Sequence, residues 1–172
     1  MKNRFEIRTN IVAIFLNRRN GSEIETIIDI SDLPKAQEIA GTWYSFWNRH
    51  TKSFYAQAHE CGANTNKLII LHRFLNDCPP ELKVDHINHD TLDNTRKNLR
   101  NITLRENNQN LRLQVDNTSG VRGVHWDKRV SKWMARLYIN NKRTTIGVFE
   151  ELNQAAEAVH QTRIKHMPGY IY

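Results

Sequence analysis

The stretch from Val84 to Asn107 constrains this chain most. A short apolar run, Leu82 to Ile87, carries the pair Asp85-His86 and opens into the polar turn Asn88-His89-Asp90. Asn98-Leu99-Arg100-Asn101-Ile102 can return as a second short strand. Thr103-Leu104-Arg105-Glu106 has the pattern of a capping box, a Thr answered three residues later by Glu, and predicts a helix from about 104 to 112. Strand, polar turn, strand and helix in so short a span describe a hairpin backed by a helix. Pro79-Pro80 separates it from what precedes.

On the predicted helix, Leu104, Asn107, Asn108 and Leu111 share one face, the face expected to pack on the hairpin. An Asn on such a stripe is either a hydrogen-bonded core residue or a ligand. The Asn107 amide oxygen and the Asp85 carboxylate are hard donors of the kind Mg²⁺ accepts. His86 is the natural general base, because imidazole titrates near neutrality. Neighbours in a regular strand point to opposite faces, so Asp85 and His86 converge on one reactant only if the strand ends or bulges there. Asn94 falls in the connecting loop and reads as a loop-ordering residue. His89 reads as exposed, and Asn88, Asn98 and Asn101 as turn and strand-edge residues.

Charge supplies a candidate partner. Of 172 residues, 25 are Lys or Arg and 18 Asp or Glu, a net charge of +7. That balance favours a polyanion, nucleic acid before an anionic membrane surface. No apolar run approaches the length of a membrane span, and the start of the chain lacks the pattern of a signal peptide. Cys61 and Cys78 stand far apart, so no structural zinc is expected, and a reducing, intracellular setting fits best. No obligatory protein partner is evident.

Residues 1–80 read as a small α+β unit that feeds the site. A strand is expected over 4–16, a hairpin turn at Asn20-Gly21 and a returning strand over 23–30. Ser31 or Asp32 caps a short helix over 34–40. Trp43, Tyr44, Phe46 and Trp47 read as core aromatics, with a base-stacking platform as the alternative. A strand pair follows around Gly62-Ala63-Asn64, then a short helix from His72. His72 and Arg73 can contact DNA or form a structural pair, and the residues favour neither.

After the turn-rich linker 116–120, three strands are expected at Val121 to Trp126, Lys132 to Ile139 and Arg143 to Phe149, then a helix over about 151–166. Leu152, Ala155, Ala156 and Val159 form its apolar stripe. Between 121 and 145, seven Lys and Arg face one Asp. Alternation in the middle strand puts Lys132, Met134, Arg136 and Tyr138 on an outward face, while Trp133, Ala135 and Leu137 pack on the helix. An outward face with Arg and aromatic residues can touch phosphates and bases.

Two resemblances follow. Val84-Asp85-His86-Ile87, Leu92-Asp93-Asn94, Asn98-Leu99-Arg100 and Arg105-Glu106-Asn107 resemble the HNH (ββα-metal) endonucleases of the phage and intron-encoded branch. That resemblance implies Mg²⁺- or Mn²⁺-dependent hydrolysis of DNA phosphodiesters. It makes His86 the base, Asp85 and Asn107 the ligands and Asn94 the loop-ordering Asn; a register one turn away would pass the ligand role to Asn108 or Asn110. Gly120-Val121-Arg122-Gly123-Val124, Trp126, Lys132-Trp133, Ile146-Gly147-Val148-Phe149 and Ala155-Ala156 resemble an AP2/ERF-type DNA-binding domain. It implies double-stranded DNA contacts from Arg122, Trp126, Lys128, Arg136, Arg143 and Thr145, with His125 and Thr145 where plant members carry Arg and Trp. The expected organisation is α+β: 1–80, 81–115 as nuclease motif and 116–172 as DNA-binding sheet. The expected function is a site-recognising homing-type endonuclease of phage or intron origin, acting in the cytoplasm of a bacterial host. Its rival is a non-catalytic DNA-binding regulator on the same scaffold.

Overall fold

The computed structural model describes residues 1–18, 20–61, 66–111, 113 and 116–171. The fold is α+β, in two compact units, Met1–Thr103 and Leu104–Tyr172.

In the first unit, β1 (Phe5–Arg8), β2 (Ile11–Asn17), β3 (Glu23–Asp29), β4 (Tyr44–Asn48), β5 (Ser53–Cys61) and β6 (Asn66–Ile70) make one sheet. Strand β2 lies centrally, antiparallel to both β1 and β3, and meets β4 through one parallel bridge, Asn17 to Tyr44. Its apolar run Val12, Ala13, Ile14 and Leu16 is accordingly 0% exposed on both faces of the strand. Helices α1 (Leu33–Gln37) and α2 (Leu71–Leu75) close the core with Ala36, Leu71, Leu75 and the fully buried Trp43. The Trp43 indole N–H donates to Ala36 O at 3.1 Å.

Several expectations are revised. The single strand over 4–16 is a hairpin, because Thr9 adopts a left-handed φ of 54° and turns the chain. The helix expected over 34–40 is α1, preceded by a 3-10 turn at Ile30–Asp32; neither Ser31 nor Asp32 makes a side-chain cap. The aromatic cluster divides, with Trp43 buried while Phe46 and Trp47 are 47% and 45% exposed. The turn expected at Gly62-Ala63-Asn64 lies outside the described residues.

The expected hairpin is β7 (Lys83–His86) paired with β8 (Leu99–Ile102). The second unit opens with α3 (Leu104–Asn107) and a 3-10 turn at Asn108–Asn110. The helix expected to reach 112 is therefore one α-turn long, and Arg112 is outside the described residues. Helical periodicity stops at Asn107, so the predicted apolar stripe does not form: Leu104 and Leu111 are 58% and 52% exposed.

Strands β9 (Val124–Asp127), β10 (Lys132–Ile139) and β11 (Lys142–Phe149) form an antiparallel sheet with β10 in the middle, and α4 (Leu152–His166) covers one face. Ala135, Leu137, Val124, Ala155 and Val159 are the buried contact. Strand β9 starts three residues later than expected because Gly123 holds φ at 96°. A Cβ there would stand 2.8 Å from Leu137 Cδ2 and 2.9 Å from Arg136 O. That close approach lets Gly123 O accept the Arg136 N–H at 2.7 Å.

Candidate functional site

Within the first unit, the loop between β7 and β8 is built from its own Asn and Asp side chains. Asn98 Oδ1 accepts the Asn88 N–H at 2.9 Å, and Asn98 Nδ2 donates to Asp93 O at 2.7 Å. Asp93 accepts from Thr95 through one oxygen and from Asn88 through the other. The loop then docks on β3 as an extra strand would: Ile27 N donates to Leu92 O at 2.9 Å and Asn94 N to Ile27 O at 2.8 Å. Arg96 fastens the end of this loop, its guanidinium donating to the buried Asp32 carboxylate at 2.6 Å. Asn98 is thus a buried organiser of the loop, not an edge residue.

This docking aims Asn94, which is 1% exposed. The Thr26 hydroxyl donates to Leu92 O at 2.7 Å, so its oxygen accepts the Asn94 amide N–H at 2.7 Å. The Asn94 carbonyl oxygen therefore faces His86 Nε2 at 3.1 Å and requires a proton there. The chain Leu92–Thr26–Asn94–His86 fixes the neutral imidazole with its basic lone pair on Nδ1. His86 is buried, and burial lowers its pKa, against the Asn94 hydrogen bond and the Asp85 charge, which raise it.

His72 packs edge-on against His86, ring centroids 5.0 Å apart, with Tyr55 5.5 Å from His72. Burial first, then the charges of His86 and Arg73, push His72 down to about 3. Arg73 donates to the carbonyl oxygens of Leu82, Cys78 and Pro79. Of the two readings of this pair, the geometry matches the structural one: His72 supports the His86 ring, and Arg73 ties down the diproline turn.

Asp85 pairs across the hairpin with Arg100, which donates to its Oδ2 at 2.9 and 2.7 Å. Pairing is regular through His86, opposite Leu99, so no bulge turns Asp85 and His86 to one side. Among the described residues, no three His, Cys, Asp or Glu side chains gather as a metal-binding group. A single buried carboxylate fits a cation that draws most of its shell from phosphate oxygens and water, as Mg²⁺ does. Asn107, the other donor the resemblance assigns, ends α3 in the second unit. His89 sits in the turn with φ at 63°.

In the second unit, strand register sorts the candidate DNA contacts. Arg136 pairs with Thr145 and Tyr138 with Arg143, so these four share the face away from α4. His125, opposite Met134, joins them. Trp126 does not, because it is paired with Trp133 and packs edge-on against it at 5.1 Å, on the face α4 covers. Arg122 is half-buried and donates to the carbonyls of Asn108, Gln109 and Leu111, which orients its guanidinium within the unit without neutralising it. Lys128 is exposed in the turn after β9. Lys132 is ion-paired with Glu150, and Asp127 with Arg129.

Sequence reasoning assigned no role to Thr26 or Arg100. Thr26 is unremarkable on an amphipathic strand and acquires its role through a partner 68 residues away. Arg100 could have been found from hairpin pairing, since it falls opposite Asp85.

Over 65 residues the chain is 31% identical to Protein 3.8 of Escherichia phage T7, covering 38% of this chain and 54% of that protein. The chain thus spans about half the length of this curated relative. No family model matches, and no solved structure matches. Among the described residues, no helix is long and apolar enough to cross a membrane.

Proposed function

We propose that this protein is a DNA endonuclease of the HNH type, with an AP2-like sheet that helps to hold the duplex. The observation that carries the reading is the chain from Leu92 O through Thr26 and Asn94 to His86. A buried imidazole held in one tautomer is what a general base needs and a turn-forming loop does not. His86 Nδ1 takes the proton of the water that attacks phosphorus. Asn94 keeps the ring from rotating, and the second nitrogen keeps its own proton. Asp85 is the carboxylate that would hold Mg²⁺ or Mn²⁺; Asn107, the second donor that the resemblance implies, belongs to the second unit. Such a cation, when bound, offsets charge on the scissile phosphate and the leaving oxygen. The outward face of Arg136, Arg143, Thr145 and His125, with Lys128 beside it, supplies the duplex contacts. Likeness to a phage protein supports a phage-encoded enzyme that acts in the bacterial cytoplasm.

Plasmid DNA incubated with the protein and either metal should be nicked. His86→Ala should lower the rate by about 10²–10⁴-fold, the usual contribution of a general base, while DNA shifts persist. One observation favours the rival reading of a regulator: Arg100 already neutralises Asp85. No cleavage with either metal, together with intact DNA shifts, would decide for the regulator.

A further inference from the structure

The buried residues of α4 are Ala155, Val159 and Arg163, spaced four apart on one stripe. The periodicity that buries the two apolar residues thus carries a guanidinium inward as well. Arg163 is 8% exposed, and its Nε–H has no hydrogen-bond partner among the described residues. Its guanidinium carbon lies 4.7 Å from the Tyr170 ring centroid. Arg163 lines a cavity of about 870 Å³ within the second unit.

The cavity exists because β9 ends its pairing at Val124 opposite Ala135, so β10 from Arg136 onward has no strand on that side. Arg122, Arg136, Arg143 and His166 share the lining, and no Asp or Glu is among the described lining residues. The C-terminal turn of α4 contributes only the partial negative charge of a helix end. Burial disfavours the charge on Arg122 and on Arg163, and the Arg163 charge further disfavours that on Arg122. Tyr170 hydrogen-bonds Arg163 and favours its charge, yet among the described residues no carboxylate pairs with either guanidinium. A buried and a half-buried cation that repel each other, one with an unused Nε–H, call for an anion between them.

We propose that this cavity is a phosphate-binding site in which Arg163 and Arg122 grip one phosphate group. Guanidinium forks match phosphate oxygens in geometry as well as charge. The group can be a free phosphate or phosphomonoester, or a phosphodiester of bound DNA. The site does not depend on the endonuclease reading, since it would serve a regulator equally well.

The test uses the full chain, with inorganic phosphate in one calorimetric titration and a short DNA duplex in another. Arg163→Met preserves the apolar stripe and removes the buried charge, so it should fold with a thermal midpoint at or above that of the unaltered protein in phosphate-free buffer. Saturable one-to-one phosphate binding, weakened at least tenfold by Arg163→Met and partly restored in Arg163→Lys, would establish a free-phosphate site. A tenfold loss confined to the duplex titration would assign the group to DNA. If the unaltered protein binds neither ligand, or if both bind Arg163→Met as tightly, the proposal is overturned.

Discussion

Asn94, 1% exposed, and Tyr138, 69% exposed, mark the contrast between the two units. In the first unit the polar residues that look functional are turned inward, and almost every one has a named partner. In the second, the cations of β10 and β11 are turned outward on one face of a sheet. An inward network specifies geometry, because each amide and hydroxyl must find its complement or lose its hydration without return. An outward face specifies charge, and tolerates error in position. Damage to the first unit should therefore register as lost stability, and damage to the second as lost salt dependence.

At neutral pH the largest stability effect is expected at Arg96. Arg96→Met leaves the Asp32 carboxylate, 2% exposed, without its cation. Breaking a buried pair from one side costs about 3–5 kcal/mol, and the half-exposed guanidinium sets the expectation at about 3 kcal/mol. Urea denaturation measures it. A loss below about 1 kcal/mol would mean that the loop does not depend on this anchor.

Per pH unit, the next effect is acid sensitivity of the first unit. His72 holds its proton at about 3 in the folded protein against an ordinary value of 6.5, with His86, Arg73 and the Tyr55 ring around it. A lowered value means that the unfolded chain binds the proton first. The stability that neutral His72 brings is thus complete above pH 6.5 and is lost as pH falls towards 3. The slope is up to about 1.4 kcal/mol per pH unit in that window. His72→Phe, which keeps an aromatic ring there, should flatten it; an unchanged acid limb would place the titration elsewhere.

Much of the fold is legible from residues alone. Alternation in β10, the apolar run of β2 and the stripe of α4 each report their surroundings locally. What is not legible depends on long-range pairing. Thr26 and Asn94 meet only because the loop adds to β3, and nothing near either residue announces it. The turn at Thr9 lacks a Gly or Asn-Gly signal. At the site, Asp85, His86 and Asn94 stand out by residue type, whereas their hydrogen-bond roles follow from geometry.

For the second unit, Arg136→Ala with Arg143→Ala should leave stability within about 0.5 kcal/mol, as surface changes usually do. The slope of log binding constant against log salt should fall by nearly 2, close to one for each phosphate contact removed. An unchanged slope measured by gel shift across salt concentrations would take this face out of the DNA interface.

The smallest effect is expected at Trp126, and it tests the register itself. Residue type alone makes Trp126 the most attractive base-stacking candidate on β9, and it is 43% exposed. Pairing with Trp133 nevertheless puts it on the side of the sheet that α4 covers, opposite to Arg136 and Arg143. Trp126→Ala should therefore change the unit's thermal midpoint slightly, through the lost Trp133 contact, and leave DNA affinity and its salt slope where they were. His125→Ala, one residue earlier and on the other face, should weaken DNA binding more than Trp126→Ala does. The reverse order would mean that the duplex approaches from the α4 side, and the cationic face of β10 and β11 would lose its assignment.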